Sequence, residues 1–265
     1  MSKFLHTFQY STALITGASS GIGQAYAQKF AAMGINVILV ARSLEKLNAL
    51  AKDLHDAHHI KVDVVVMDLA QAHAAEALLA EIQSRKLTVE ILVNNAGFGK
   101  WSKFLDQPVS TYHEMLTLNI NTLTSLCALF IPPMLAAKKG LVINVASTAA
   151  FHALPYIAVY GASKSYVLHF TEALAGEYTQ SGVKILAVCP GNTATNFTQV
   201  ANANTEGMKS ASVEDVVSAT LRALDKDKTT VIVGCQNYFM SQLPRILPRK
   251  KMLFLTEGVL KSRVK

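Results

Sequence analysis

Tyr160 and Lys164 are four residues apart in a stretch of helical period, so they share one helix face. A phenol with an ordinary pKa of about 10 carries protons poorly near neutrality. An ammonium beside it favours the phenolate and would make such a tyrosine a usable acid and base. Ser147 follows a short apolar run, and its hydroxyl is suited to holding a carbonyl oxygen. Asn119 stands inside a long helical stretch, where asparagine has modest propensity; a buried amide there would hold a water and deviate the helix. Singly these residues are ambiguous, because a Tyr and a Lys at helical spacing are more often a snorkelling surface pair. The three cysteines, Cys127, Cys189 and Cys235, lack CxxC spacing, so neither a disulfide framework nor a metal site is expected. Buried structural thiols are the simpler account.

A second constellation concerns anion binding. Thr16-Gly17-Ala18-Ser19-Ser20-Gly21-Ile22-Gly23 follows the first apolar run. Glycines there permit a tight strand-to-helix turn and close backbone approach. The helix that follows would aim free N–H groups at a pyrophosphate, with Gly17, Ser19, Ser20, Gly21, Ile22 and Gly23 forming the cradle. An ordinary tight turn is the alternative. The second strand ends Val40-Ala41-Arg42-Ser43. In dinucleotide folds an acid at this point binds the adenosine ribose, whereas an arginine accommodates a 2′-phosphate. Ala41 removes the acid; Arg42 and Ser43 offer a planar cation and a hydroxyl, which points to NADP(H). Asp68 is placed either to accept from an adenine amino group or to cap the next helix.

The elements that must position these groups alternate along the chain. Thr12–Thr16, Asn36–Val40, Val62–Met67, Ile91–Val93, Leu141–Val145, Lys184–Val188 and Thr230–Val233 read as short strands buried on both faces. Helical period marks Gly23–Ala32, Leu44–Leu54, Ala72–Arg85, Thr111–Ala136, Tyr156–Gln180 and Val213–Leu224, the last capped by Ser212 with Asp215. The pattern predicts an α/β fold, a Rossmann-type doubly wound parallel sheet of seven strands with helices on both faces. Residues 1–235 are expected to form the catalytic and cofactor-binding domain, and 236–265 an extension packed on it. Gly191–Ser210 lacks a period and is expected to be a long mobile loop near the strand ends.

Taken in order, these segments resemble the short-chain dehydrogenase/reductase family over nearly the whole chain. Thr16–Gly23 fits the family's TGxxxGxG. Asn94-Asn95-Ala96-Gly97 matches its NNAG. Asn119, Ser147, Tyr160 and Lys164 follow the order and approximate spacing of its catalytic tetrad, and Pro190-Gly191 with Thr195 resembles PGxxxT. The resemblance implies that Tyr160 is the general acid in reduction and the base in oxidation. Lys164 lowers the tyrosine pKa and binds the nicotinamide ribose, Ser147 orients the carbonyl, and Asn119 holds a relay water. It also implies cofactor contacts from Asn95, Ala96, Gly97, Pro190, Gly191, Thr193 and Thr195. Some NADP-preferring members carry a basic residue where this chain has Ser20. The expected substrate is a small apolar carbonyl or alcohol, because Phe151, Leu154 and Phe197 are the candidate lining. The runners-up are a 3-oxoacyl or steroid-type reductase, and a non-catalytic cofactor-binding sensor on the same fold.

Composition narrows the remaining classes. The chain has 265 residues, 51% hydrophobic and 16% charged, enough for one sizeable core and against long disorder. No signal-peptide pattern opens Met1–Tyr10, and the most apolar run, Leu126–Ala137, is interrupted by Pro132 and Pro133, so a cytoplasmic protein is expected. Of the net charge of +7, six units arise from Arg245 onward, where seven basic residues face Glu257 alone. That polarisation argues against nucleic acid and for a local docking patch or a solvated tail. Pro244 and Pro248 divide the tail into two short amphipathic pieces. They are expected to cover the cleft or a subunit contact; the sharper alternative is an anionic membrane surface. Apolar helix faces carrying Leu118, Leu126, Leu129, Phe130, Val167, Phe170, Leu174 and Tyr178 predict a homodimer or homotetramer.

Overall fold

The computed structural model describes residues 2–205, 207 and 209–264. Seven strands form one parallel sheet in the order β3-β2-β1-β4-β5-β6-β7. They are β1 (Thr12–Thr16), β2 (Asn36–Ala41), β3 (Val62–Val66), β4 (Ile91–Asn94), β5 (Gly140–Val145), β6 (Val183–Cys189) and β7 (Thr230–Ile232). Every pairing between neighbours is parallel. Runs of Val, Ile and Leu suit strands covered on both sides. Adjacent residues therefore enter opposite cores: Ile15, Leu39, Val93 and Ile143 face one, and Leu14, Ile38, Leu92 and Val142 the other.

The first core is closed by α2 (Gly21–Ala31), α3 (Leu44–His58) and α9 (Val213–Asp225), with the short α1 (Lys3–His6) against α9. The second lies under α4 (Ala74–Ser84), α6 (Leu123–Ala136) and α7 (Ala158–Glu177). Ser212 and Asp215 form a reciprocal capping box at the start of α9. The sheet order reverses between β1 and β4, so the carboxyl ends of these two strands border the crevice where ligands of such sheets bind.

Four expectations need correction. Pro132 and Pro133 do not interrupt the apolar segment: α5 (Val109–Leu116), a π turn (Thr117–Thr122) and α6 run on continuously, with both prolines inside α6. The two proline rings are exposed, so the carbonyls they leave unbonded can face water. The resulting helix, Val109–Ala136, is long and apolar enough to cross a membrane by length and composition. It packs on the sheet, however, with Leu126, Cys127, Phe130, Ile131 and Met134 in the second core. The segment after β6 is also more ordered than expected, with α8 (Phe197–Val200) and a bridge between Thr193 and Ala211; Glu206 and Met208 lie outside the described residues. The tail forms the two expected pieces, α10 (Cys235–Ile246) and α11 (Arg249–Lys261), but Pro248 alone divides them, and Pro244 lies within α10. Of the thiols, Cys127 and Cys189 are buried but Cys235 is exposed.

The apolar faces read as subunit contacts also serve the monomer. Leu126, Phe130 and Val167 are fully enclosed, while Leu118, Leu129, Phe170, Leu174 and Tyr178 pack half-buried on the same core.

A buried polar chain crosses the second core and ties α7 to the sheet. Asn94 Nδ2 donates to Asn144 Oδ1 at 2.9 Å, and Asn144 Nδ2 donates to Thr171 Oγ1 at 3.0 Å. Thr171 Oγ1 donates to the Val167 carbonyl at 2.6 Å. Asn144→Ala would leave the Asn94 donor and the Thr171 acceptor without this partner. The expected destabilisation is about 1–3 kcal/mol for each buried group left unsatisfied. Urea unfolding with an unchanged midpoint would refute the linkage.

Candidate active site

The glycine turn and the segment after β4 are locked together by one hydroxyl and one amide. Thr16 Oγ1 donates to the Val93 carbonyl at 3.2 Å and accepts from the N–H groups of Asn95 and Ala96 at 2.9 and 3.0 Å. Asn95 Nδ2 donates back to the carbonyls of Thr16 at 2.9 Å and Gly17 at 3.3 Å. This packing explains two of the glycines. Gly17 has φ +66°, and a Cβ there would lie 2.8 Å from Asn95 Nδ2. A Cβ on Gly23 would lie 2.4 Å from the Gly17 oxygen.

The turn fits a bound pyrophosphate on its own geometry. Ser20 caps α2 without a side-chain hydrogen bond, so the N–H groups of the first turn have no side-chain acceptor there. A cleft of about 350 Å³ opens beside it, lined by Ser20, Gly21, Gln24, Gln28 and Thr195 among others. That opening flanks α2; it does not lie over Tyr160. Arg42 is exposed, and among the described residues it makes no ion pair or side-chain hydrogen bond. Ser43 caps α3, likewise without a side-chain bond. Asp68 is not the cap of α4, which is His73; its carboxylate accepts from the Ala70 N–H at 3.0 Å and from Gln71 Nε2 at 3.3 Å in a local turn. Ser19 and Ile22 lie on the glycine turn and the first turn of α2. Gly21 meets Thr195: a Cβ added at Gly21 would sit 3.0 Å from Thr195 Cγ2.

The four catalytic candidates converge from three elements. Ser147 ends the run after β5 and caps a 3-10 turn, Thr148–Ala150, by accepting from the Ala149 N–H at 3.1 Å. Its hydroxyl also donates to the Pro190 carbonyl at 3.5 Å, and it lies close enough to Tyr160 to favour the phenolate. Tyr160 lies on the first turns of α7, its ring half-buried and bracketed by Gly99 and Phe197, whose ring centroid is 5.4 Å away. One turn on, Lys164 is 5% exposed, and its Nζ donates to the Val145 carbonyl at 2.7 Å, 5.9 Å from the Tyr160 ring centroid.

Burial decides the titration here. Desolvation pushes the Tyr160 phenol up to about 12, against the opposing hydrogen bond to Ser147. Desolvation also brings the Lys164 ammonium down to about 8. The expected lowering of the tyrosine by the lysine is therefore not the dominant effect in this geometry; Lys164 spends its hydrogen bond on the Val145 carbonyl.

Asn119 is buried in the π turn, but its side chain is committed to protein. Oδ1 accepts from the Phe98 N–H at 3.1 Å, and Nδ2 donates to the Phe98 carbonyl and to Ser163 Oγ, both at 3.0 Å. Ser163 Oγ in turn donates to the Tyr160 carbonyl at 2.7 Å. The helix deviation expected at Asn119 is present as the π turn, while both amide protons serve to anchor Phe98 and α7. Ser163, fully buried beside Lys164, is a positioning residue that the sequence reading passed over; a small polar residue on the inward face of the Tyr160–Lys164 turn was the available signal. Ala96 and Gly97 complete the wall: a Cβ on Gly97 would lie 3.0 Å from Asn119 Oδ1 and 3.4 Å from Lys164 Nζ.

Beyond β6, Pro190 accepts from the Thr148 N–H at 2.9 Å, and a Cβ on Gly191 would run into Asn237 of α10 at 2.4 Å. Thr193 Oγ1 donates to the Gly191 carbonyl at 3.1 Å, and Thr195 Oγ1 accepts from the Phe197 N–H at 3.2 Å, which fixes the start of α8. Phe151 and Leu154 lie half-buried on the loop before α7. His152 between them is also half-buried, with its imidazole pKa lowered by burial. Among the described residues no cluster of His, Cys, Asp and Glu could hold a metal.

Known proteins share this architecture. The family model for short chain dehydrogenase matches residues 11–206. The human "inactive hydroxysteroid dehydrogenase-like protein 1" is 32% identical over 192 residues, which are 72% of this chain and 58% of that protein. The very-long-chain 3-oxoacyl-CoA reductase of Anas platyrhynchos is 32% identical over 71% of this chain and 61% of its own length. The chain thus spans about three fifths of each of these two relatives. Among solved structures, a 7β-hydroxysteroid dehydrogenase superposes with a TM-score of 0.85 at 28% identity, covering 95% of this chain and 98% of that one. A short-chain dehydrogenase from Sphingobium yanoikuyae, in complex with NADPH, gives 0.79 at 31% identity, covering 96% of both.

Two measurements test the site's physics. Between about 8 and 10.5 the unfolded chain holds the Lys164 proton more often than the folded one, so stability rises with pH across that window. Tyr160, moved from 10.0 to about 12, acts oppositely, so stability falls as pH rises between those values. Lys164→Met should abolish the first limb, on the order of 3 kcal/mol across the window at about 1.4 kcal/mol per pH unit. Parallel stability curves for parent and variant would contradict this. Gly23→Ala should cost about 1–3 kcal/mol by overpacking against Gly17 and Asn95, with weakened dinucleotide binding by calorimetry. Unaltered stability and binding would show that the contact is not tight.

Proposed function

The chain belongs to the short chain dehydrogenase family, and from that premise we propose that it is an NADP(H)-dependent oxidoreductase that interconverts an apolar ketone or aldehyde and its alcohol. The observation that carries this reading is the convergence of Ser147 and Tyr160 at the end of β5, with Lys164 buried behind the phenol ring at 5.9 Å from its centroid. The glycine cradle and the unpaired Arg42 support the choice of dinucleotide and of its phosphorylated form. Gly17, Ser19, Ser20, Gly21, Ile22 and Gly23 would hold the pyrophosphate, Arg42 and Ser43 the 2′-phosphate, and Lys164 the nicotinamide ribose. A bound nicotinamide supplies the hydride in reduction and accepts it in oxidation.

The chain's own residues handle the proton. Ser147 orients the carbonyl oxygen. In reduction Tyr160 gives its phenolic proton to that oxygen, and the phenolate left behind is held by the Ser147 hydroxyl and the positive charge of Lys164. In oxidation the same oxygen of Tyr160 takes the alcohol proton. Asn119 and Ser163 hold Tyr160 and the Phe98 segment at fixed separation. Phe151, Leu154 and Phe197 favour an apolar substrate.

A non-catalytic role remains the second reading, because a relative at 32% identity carries the name inactive. Retention of Asn119, Ser147, Tyr160 and Lys164 in this chain favours catalysis. A closed homo-oligomer is part of the proposal, resting on the partly open faces at Leu129, Phe170 and Leu174.

Turnover of NADPH against a panel of apolar ketones tests the reading. Tyr160→Phe should reduce kcat by at least about a thousandfold, near the range of positioned acid catalysis, while NADPH affinity stays near that of the parent. Near-normal turnover in that variant would overturn the assignment. Arg42→Ala should weaken NADPH about tenfold and leave NADH unchanged, consistent with the loss of about 1.4 kcal/mol of charge-assisted binding. Equal affinity of the parent for both dinucleotides would remove the preference.

A further inference from the structure

The tail concentrates exposed apolar surface. Among the described residues, eight of the sixteen exposed large apolar side chains belong to α10 and α11. On α11, Met252, Thr256 and Leu260 form the buried stripe at four-residue spacing. That stripe faces the loop before α7, where Thr256 Oγ1 donates to the Ala153 carbonyl at 3.3 Å and Tyr156 Oη donates to Glu257 at 3.2 Å. The opposite side of the helix therefore carries Phe254, 75% exposed, flanked by Lys250, Lys251 and Lys261. On α10 the residues opposite buried Ser241 include Phe239 and Ile246, 69% and 77% exposed.

Charge specifies what meets this surface. Arg245, Arg249, Lys250 and Lys251 form no ion pair among the described residues, and the single acid of the tail, Glu257, already lies 3.6 Å from Lys261. Lys265 lies outside the described residues. A two-fold contact with a second copy through this patch would set Arg249–Lys251 against the same cations. An anionic lipid surface instead takes the exposed aromatic and aliphatic groups below its headgroups and the cations at headgroup level.

We infer that α10 and α11 form an interfacial anchor, by which the protein docks reversibly on an anionic phospholipid bilayer. Docking would bring the loop Ala153–Tyr156, on which α11 sits, to the lipid surface. The inference does not depend on catalysis, since binding is read without turnover.

The test is co-sedimentation of the full chain with phosphatidylcholine vesicles, with and without phosphatidylserine. Binding is expected only with phosphatidylserine, weakening as salt is raised because screening shortens the reach of the charges. Arg249→Gln/Lys250→Gln/Lys251→Gln should reduce vesicle affinity on the order of a hundredfold, at about fivefold for each cation. Phe254→Ser should weaken binding at every salt concentration; both sets of substitutions are on exposed positions, and a melting curve matching the parent confirms folding. Failure of the parent to bind anionic vesicles at low salt overturns the inference. So does unchanged binding by both variants, or a change by Phe254→Ser in sedimentation mass but not in vesicle binding, which would assign the face to a second copy.

Discussion

The Thr16 hydroxyl is the contact on which the rest of the site depends. It stands at the end of β1, where the sheet order reverses, and bonds the carbonyl and amides at the end of β4. Together with the Asn95 amide it brings two loops so close that glycine is required at positions 17 and 23. The cradle for an anion and the wall facing Lys164 are therefore one assembly. Asn95 and Gly97 stand two residues apart, the first against the glycine turn and the second beside Asn119 and Lys164.

A second constraint is the desolvation of the Tyr160–Lys164 pair. Burial opposes charge on both side chains, upward for the phenol and downward for the ammonium. Near neutral pH Tyr160 is therefore the uncharged phenol, while Lys164, at about 8, still carries its proton. Surrounding groups then acquire leverage, because low local polarity magnifies every charge and dipole that arrives. The Ser147 hydroxyl already exerts such an effect on Tyr160.

The fold was legible because the strands are short, β-branched and covered on both faces, and because caps such as Ser212 with Asp215 mark helix starts chemically. The convergence of the candidate catalytic residues was legible through type and spacing: helical geometry alone sets Tyr160 and Lys164 on one face. Their energetics were not, since the direction of a pKa shift depends on how deeply a group lies, which spacing does not encode. The commitment of Asn119 to Phe98 and Ser163 was hidden for a similar reason: these partners are 21 and 44 residues distant in sequence. Pro132 and Pro133 misled because a proline disrupts a helix less when the freed carbonyls can face water, and exposure is a tertiary property. The tail bends after α10, at Leu247-Pro248, because the residue before a proline is driven out of the helical region; Leu247 is extended, with ψ 141°.

Phe197 has a consequence for how the site fills. Its ring lies tilted against Tyr160, at the head of a four-residue helix whose neighbours are tied to the segment after β4 by Lys100 and Trp101. An aromatic pair of this kind contributes about 0.5–1.5 kcal/mol. A molecule that needs this side of the phenol competes with that contact, which lowers its apparent affinity roughly two- to tenfold. The same contact gives selectivity by bulk and polarity. A ligand that replaces the phenyl surface with its own apolar surface recovers what was lost, whereas water or a small polar molecule does not.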